Sequence, residues 1–388
     1  MSGDELAAER RALEHARSAS ARPFRRDRLA FAAAHVVFQD AYAQAPHSVQ
    51  APGSAEALLA AIDWERTEAF RRHLDRTGFG IAEAMDTAQR FELGWEGARA
   101  LIERTGALGL EHGFVAGASY DQLAGPPDSW DQSDVERAVA EQIAIVQQAG
   151  GVAVVLPLPW LAHNGRGPAH FVDVYGAILS DVEGPVFLHW LGEAFHPAMR
   201  DYFPGDSLDA ILASDRDKLR GVKLSILDPE REVAIRRSLL PHDQIVLTGD
   251  DWAFARMLEG GPAEGAGDDP RPVERWTRIG DWDVALGDFS HALLGIFDAT
   301  AEPMRIALDW LALGELERWR SWARPCEELG RVVFEAPTSL YKVGLALLAE
   351  RAGHQPNRLL ANHLERERDA DHLERVLRAA GEARVLPR

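Results

Sequence analysis

Eight short apolar runs recur along this chain, each followed by a stretch able to hold a helix, and that alternation restricts the fold more than any other feature. The runs occupy residues 29–38, 78–85, 114–118, 151–156, 185–190, 219–228, 244–248 and 284–290. Short runs rich in β-branched residues that alternate with helical periodicity predict parallel strands joined by crossover helices. Eight in succession predict a closed (β/α)8 barrel of the α/β class. An open doubly wound sheet is the alternative, but it usually carries a Gly-rich phosphate loop after an early strand, and neither GxGxxG nor GxxxxGK[ST] occurs here. The clearest helix covers residues 133–149, with Ser133 as N-cap and Glu136 completing a capping box. Residues 1–28 are expected to form a helical extension, 29–322 the barrel, and 323–388 additional helices packed on it. The Gly-, Pro- and acid-rich segment 259–281 reads as a mobile loop over one end of the barrel.

A net charge of −19 argues against a nucleic-acid partner. The single cysteine, Cys326, excludes a disulfide framework and a Cys-rich metal site and fits a reducing compartment. No run of about 18 apolar residues predicts a membrane span, and the charged, Ala-rich N-terminal stretch does not read as a signal peptide, so a cytoplasmic protein acting on a small molecule is expected. Leucines 345, 348, 359, 360 and 364 are spread over more than one helical face, which predicts a homo-oligomer, most simply a dimer.

Of 42 basic residues only three are lysine: Lys218, Lys223 and Lys342. Arginine keeps its proton in any protein environment, whereas a desolvated lysine amine can become neutral and nucleophilic. Lys223 alternates with Val222, Leu224 and Ile226 in strand fashion, which buries it. A lysine kept at such a position in an arginine-rich chain points to Schiff-base chemistry; the competing reading is a snorkelling or salt-bridged lysine at a strand edge.

Two motifs connect these residues to a known family. GVKLS, residues 221–225, resembles the Schiff-base strand of the dihydrodipicolinate synthase and N-acetylneuraminate lyase superfamily of class I aldolases, and LTGDDWAFARMLEGG, residues 247–261, resembles its GDD segment. The resemblance runs from about residue 30 to residue 350 and identifies the chain as a divergent branch. It implies a barrel with three extra helices, an imine-forming Lys223 on strand six, 2-oxo acid substrates and a structural Lys342. Two departures stand beside it. Where the family has GTTGE after strand two this chain has Met85-Asp86-Thr87-Ala88-Gln89, and in place of the strand-four Pro-Tyr-Tyr it has Pro157-Leu158-Pro159-Trp160.

These readings converge on a lysine-dependent lyase, an aldolase or dehydratase, acting on a 2-oxo acid or keto-sugar derivative through a covalent imine and without a cofactor. His189 and His291, at expected strand ends, are the candidates for the proton transfer that the missing tyrosine would perform, because imidazole titrates near neutrality. Asp86, Thr87, Glu83, Trp160, Arg166, Trp190 and Asp250 are the candidate substrate-binding residues. Asp86 at the carboxylate-binding turn predicts poor pyruvate binding and favours a polyhydroxylated keto-substrate. The acids and histidines expected around the mouth also allow a divalent metal, as in a sugar isomerase or metal-dependent lyase, although no fixed-spacing metal motif occurs. A non-catalytic barrel is the third reading.

Overall fold

A computed structural model describes residues 3–20, 23–126, 129–263 and 271–386. Eight parallel strands close into a barrel in the order β1-β10-β7-β6-β5-β4-β3-β2. They are β1 (Ala30–Ala33), β2 (Gly80–Glu83), β3 (Phe114–Ala118), β4 (Val152–Val155), β5 (Val186–Leu191), β6 (Leu219–Ser225), β7 (Ile245–Thr248) and β10 (His291–Leu294); β8 (Arg275–Ile279) and β9 (Trp282–Leu286) form a separate antiparallel pair. Strands buried on both faces need apolar residues at nearly every position, which explains why they show as continuous runs in the sequence. Helices follow the strands and cover them. In Gln132–Gln148 the buried residues Val135, Ala138, Val139, Gln142, Ile143 and Val146 recur at helical spacing. Its capping box forms two residues earlier than expected, between Asp131 and Asp134, and Ser133 instead donates its hydroxyl to Asp131.

The eighth strand is also displaced. The expected strand at 284–290 overlaps β9, and the barrel closes with His291–Leu294. Two apolar stretches lie there in tandem, separated by Gly287 and Asp288, and periodicity cannot tell which one pairs with β1. The hairpin β8–β9 instead packs Ile279, Val284 and Leu286 against Phe31, Val152 and Ile245, near the N-terminal ends of barrel strands. The part of the segment expected as a mobile loop that runs from residue 271 onward is thus hairpin or its approach; residues 264–270 lie outside the described residues.

Helix Gly3–Ala19 lies on helix Phe297–Ala312, with Leu13 buried between them and Trp310 donating to Glu9. Helix Leu316–Val333 spans the boundary expected at residue 322 and packs along Phe297–Ala312, so the C-terminal region is continuous with the barrel's last helix. In helix Tyr341–Arg351 every residue from Tyr341 to Ala349 is buried. The leucines that suggested a dimer are largely covered by the chain itself: Leu345, Leu348 and Leu360 are buried, and Leu359 and Leu364 are partly so. No single helix among the described residues is long and apolar enough to cross a membrane.

Candidate active site

The C-terminal ends of the strands open into a cavity of about 270 Å³. Ala33, Ser119, Leu156, Leu191, Ser225, Gly249 and Gly295, each at or just beyond the end of its strand, contribute to its wall, together with Asp86 and Thr87 after β2. Lys223 faces this cavity from β6. Two glycines shape the approach to it. Gly221 has φ +146°, and a Cβ there would meet the Ile245 carbonyl at 1.9 Å; a Cβ on Gly249 would lie 2.9 Å from Lys223 Cε and 2.3 Å from Ser225 Oγ. Only glycine allows β6 and β7 to hold the lysine stem so closely.

Lys223 Nζ makes no hydrogen bond or ion pair within the described residues, and its remaining accessible surface borders the cavity. Burial in the barrel mouth pushes its pKa down to about 8, against the opposing pull of Asp251 and then Asp86. Asp251, also in the wall, accepts from the Ile296 amide at 2.8 Å, and burial pushes its carboxyl up to about 7. Burial thus opposes the charged form of both the amine and the carboxyl, while each charge favours the other.

His189 stands beside Lys223 in the β5–β6 register, and its Nε2 lies 3.2 Å from Ser225 Oγ. Burial, and then the Lys223 charge, hold its pKa well below the usual imidazole value, so it is a neutral imidazole whose buried Nδ1 has no hydrogen-bond partner. It reaches the site, but not with the near-neutral titration expected of it. His291 does not reach the site. It begins β10, at the opposite end from the mouth, where Nδ1 accepts from the Leu29 amide and Nε2 lies 3.0 Å from the Ala285 carbonyl oxygen. The displaced eighth strand is the reason.

Of the expected substrate-binding residues, Asp86 and Thr87 line the cavity. Both Asp86 oxygens are held by Lys342 Nζ, at 2.8 and 2.7 Å, and Thr87 Oγ1 lies 2.9 Å from the Tyr341 hydroxyl. The turn that carries them is flanked by Ala84 and Gln89, both at positive φ. The other five lie elsewhere. Glu83 is fully buried on the outer side of β2, clamped by Arg71 at 2.7 and 2.9 Å and by the Thr105 hydroxyl. Trp190 points outward from β5, edge-on to Phe203 and beneath the Arg231 guanidinium. Strand alternation decides both cases: one residue along the strand is the opposite face. Trp160 packs against the core from helix Pro159–Asn164, Arg166 is exposed beyond it, and Asp250 accepts from the Trp252 and Ala253 amides at the turn into helix Phe254–Glu259.

Two residues that the sequence reading passed over, Phe334 and Tyr341, complete the site together with Asp251 of the GDD segment. Tyr341 enters from the C-terminal region, stacked on Phe334 with ring centroids 4.3 Å apart, and burial keeps its phenol protonated. It brings to the mouth the hydroxyl that β4 lacks. Its neighbour Lys342 was legible as one of three lysines, but nothing local assigns Tyr341 to a site on β2. Among the described residues no group of three or more His, Cys, Asp or Glu side chains is placed to hold a metal ion.

The fold is that of the dihydrodipicolinate synthase and N-acetylneuraminate lyase structures. The dihydrodipicolinate synthase of Oceanobacillus iheyensis matches with TM-score 0.58 at 16% identity, over 91% of this chain and 96% of that one. The sialic acid aldolase of Ruminococcus gnavus matches with TM-score 0.60 at 11% identity, over 92% and 97%, and the N-acetylneuraminate lyase of Fusobacterium nucleatum with 0.58 at 9%, over 93% and 99%. Identities this low carry the fold and not the activity. None of the curated protein sequences matches the chain. The chain belongs to the family described as "Protein of unknown function (DUF993)", whose profile spans residues 2–388.

Proposed function

We propose that this protein is an imine-forming lyase in which Lys223 attacks the carbonyl carbon of a small 2-oxo acid or keto-sugar derivative. The observation that carries the reading is an amine without an ionic partner, facing a cavity at the barrel mouth, with its pKa drawn to about 8 by burial. In the reaction the neutral amine adds to the carbonyl to give a carbinolamine, which loses water to become a protonated imine. That cation accepts the electron pair of a neighbouring C–C bond as it breaks, or of a C–H bond whose proton is removed, giving an enamine; in the dehydration case the enamine then expels a β-hydroxyl, which leaves with the C–O electron pair and a proton as water. Asp251 is suited to take the proton from the lysine and to return it to the departing hydroxyl. Tyr341, hydrogen-bonded to Thr87, offers a protonated phenol on the other side of the cavity.

Simple pyruvate chemistry fits less well. Among the described residues no arginine lines the cavity, and Lys342, beside Asp86, already spends both contacts on that carboxylate. Hydroxyl-bearing substrates find Ser119, Ser225, His189 and Asp86 on the wall, with Phe91 and Phe195 offering flat apolar surface in place of Trp160 and Trp190. The test is borohydride trapping, read by intact mass, against a panel of 2-oxo acids and keto-sugars. Reduction should leave one adduct on Lys223. A panel that leaves no adduct at any pH between about 7 and 9 overturns the reading.

A further inference from the structure

A second cavity, of about 350 Å³, lies away from the barrel mouth, where helix Gly3–Ala19 crosses the end of helix Trp64–Thr77 and the middle of helix Phe297–Ala312. Its lining carries five arginines against three carboxylates, Glu14, Glu302 and Asp309. That surplus of two positive charges stands in a chain whose net charge is −19. The carboxylates do not answer the arginines evenly. Arg17, Arg26 and Arg305 all converge on Asp309, and Arg10 pairs with Glu302. Arg76 makes no ion pair within the described residues.

Arg305 is 8% exposed, and among the described residues neither its Nε nor the buried Nε of Arg17 has a hydrogen-bond partner. The remaining nitrogens of Arg305 are engaged, one by Asp309 at 2.8 Å and one, at 3.3 Å, by the Gly78 carbonyl just past the end of helix Trp64–Thr77. A buried guanidinium N–H left without an acceptor is costly, so the carboxylates of this wall leave its arginines incompletely satisfied.

We propose that this cavity binds a phosphate group, as free phosphate or as the phosphate of a small ester, and that the bound anion pins the N-terminal helix to the barrel. A phosphate carries close to two negative charges at neutral pH and several acceptor oxygens, which matches a surplus of two and a cluster of forked donors. The crowding of like charge is visible in Arg305, whose pKa burial, Arg26 and Arg17 push down although Asp309 opposes them, to about 10. An entering dianion relieves that repulsion. The volume exceeds what a lone phosphate fills, so an organic remainder has room. The site shares no lining residue with the mouth cavity, and the proposal is independent of the lysine chemistry.

The experiment is calorimetric titration of the full chain with inorganic phosphate, and separately with glycerol 3-phosphate, at constant ionic strength in chloride. The expected result is one saturable site, with affinity falling about tenfold or more in Arg76→Gln, the loss that goes with one charge-assisted contact. Arg76 is exposed and unpaired, so that variant keeps the fold. Arg305→Met should remove binding; should it not fold, Arg76→Gln decides alone. Tighter binding of the ester than of phosphate assigns the site to a phosphorylated metabolite, and equal binding to phosphate itself. An absence of saturable heat at millimolar concentrations of both, or an unchanged affinity in Arg76→Gln, overturns the proposal.

Discussion

Two of the three lysines stand at the barrel mouth, and the two regions around them differ in one respect that decides their chemistry. At the β2 corner Lys342 is 4% exposed along its side chain and is fixed to both oxygens of Asp86. On β6 Lys223 is held by close glycines and faces Ser225, His189 and Asp251 without an ion pair. Burial is common to both; the carboxylate in contact is not. At Lys223 burial outweighs the more distant carboxylates, Asp251 and Asp86, which oppose it only in part.

The sharpest way to break that contrast is Lys223→Arg. The variant should fold, with a melting temperature close to wild type, and lose the borohydride adduct completely; an adduct of undiminished yield would place the nucleophile elsewhere, with Lys342 the first suspect. Lys342→Met should do the reverse. Asp86 loses two charge-assisted bonds but is half-exposed and rehydrates, so the loss of stability should sit near about 1.5 kcal/mol, measured by denaturant unfolding, while the Lys223 adduct persists.

A pH series sharpens the comparison further. Attack requires the neutral amine, and with Lys223 at about 8 roughly a tenth of it is neutral at pH 7. The rate of adduct formation should therefore rise with pH and level off just above 8; a rise that continues through pH 10 would mean an ordinary, solvated lysine. Asp251→Asn removes the charge that raises the Lys223 pKa, so the same profile should move toward lower pH. A profile that does not move downward would mean that Asp251 does not raise the pKa of this amine. The smallest effect is expected for Thr87→Val, which takes one hydrogen bond from the buried Tyr341 hydroxyl and should cost about 1 kcal/mol of stability without moving the pH profile.

Local pattern determined the barrel. Strands buried on both faces must be apolar along their length, so seven of the eight are legible as runs, and the rarity of lysine singled out Lys223 before any geometry was known. Strand-face assignments needed the register: Glu83 and Trp190 lie within a residue or two of cavity-lining positions, yet alternation turns Glu83 to Arg71 and Trp190 to Phe203. Only the tertiary structure decided which of two tandem apolar stretches closed the barrel, because pairing with β1 depends on where β8 and β9 fold back, and that choice carried His291 away from the mouth. Only the tertiary structure, too, brought Tyr341 and Lys342 to the turn after β2. Those residues lie about 250 positions from Asp86 and Thr87, and the contact is made by the packing of a buried helix, for which no local spacing in the sequence is a signal.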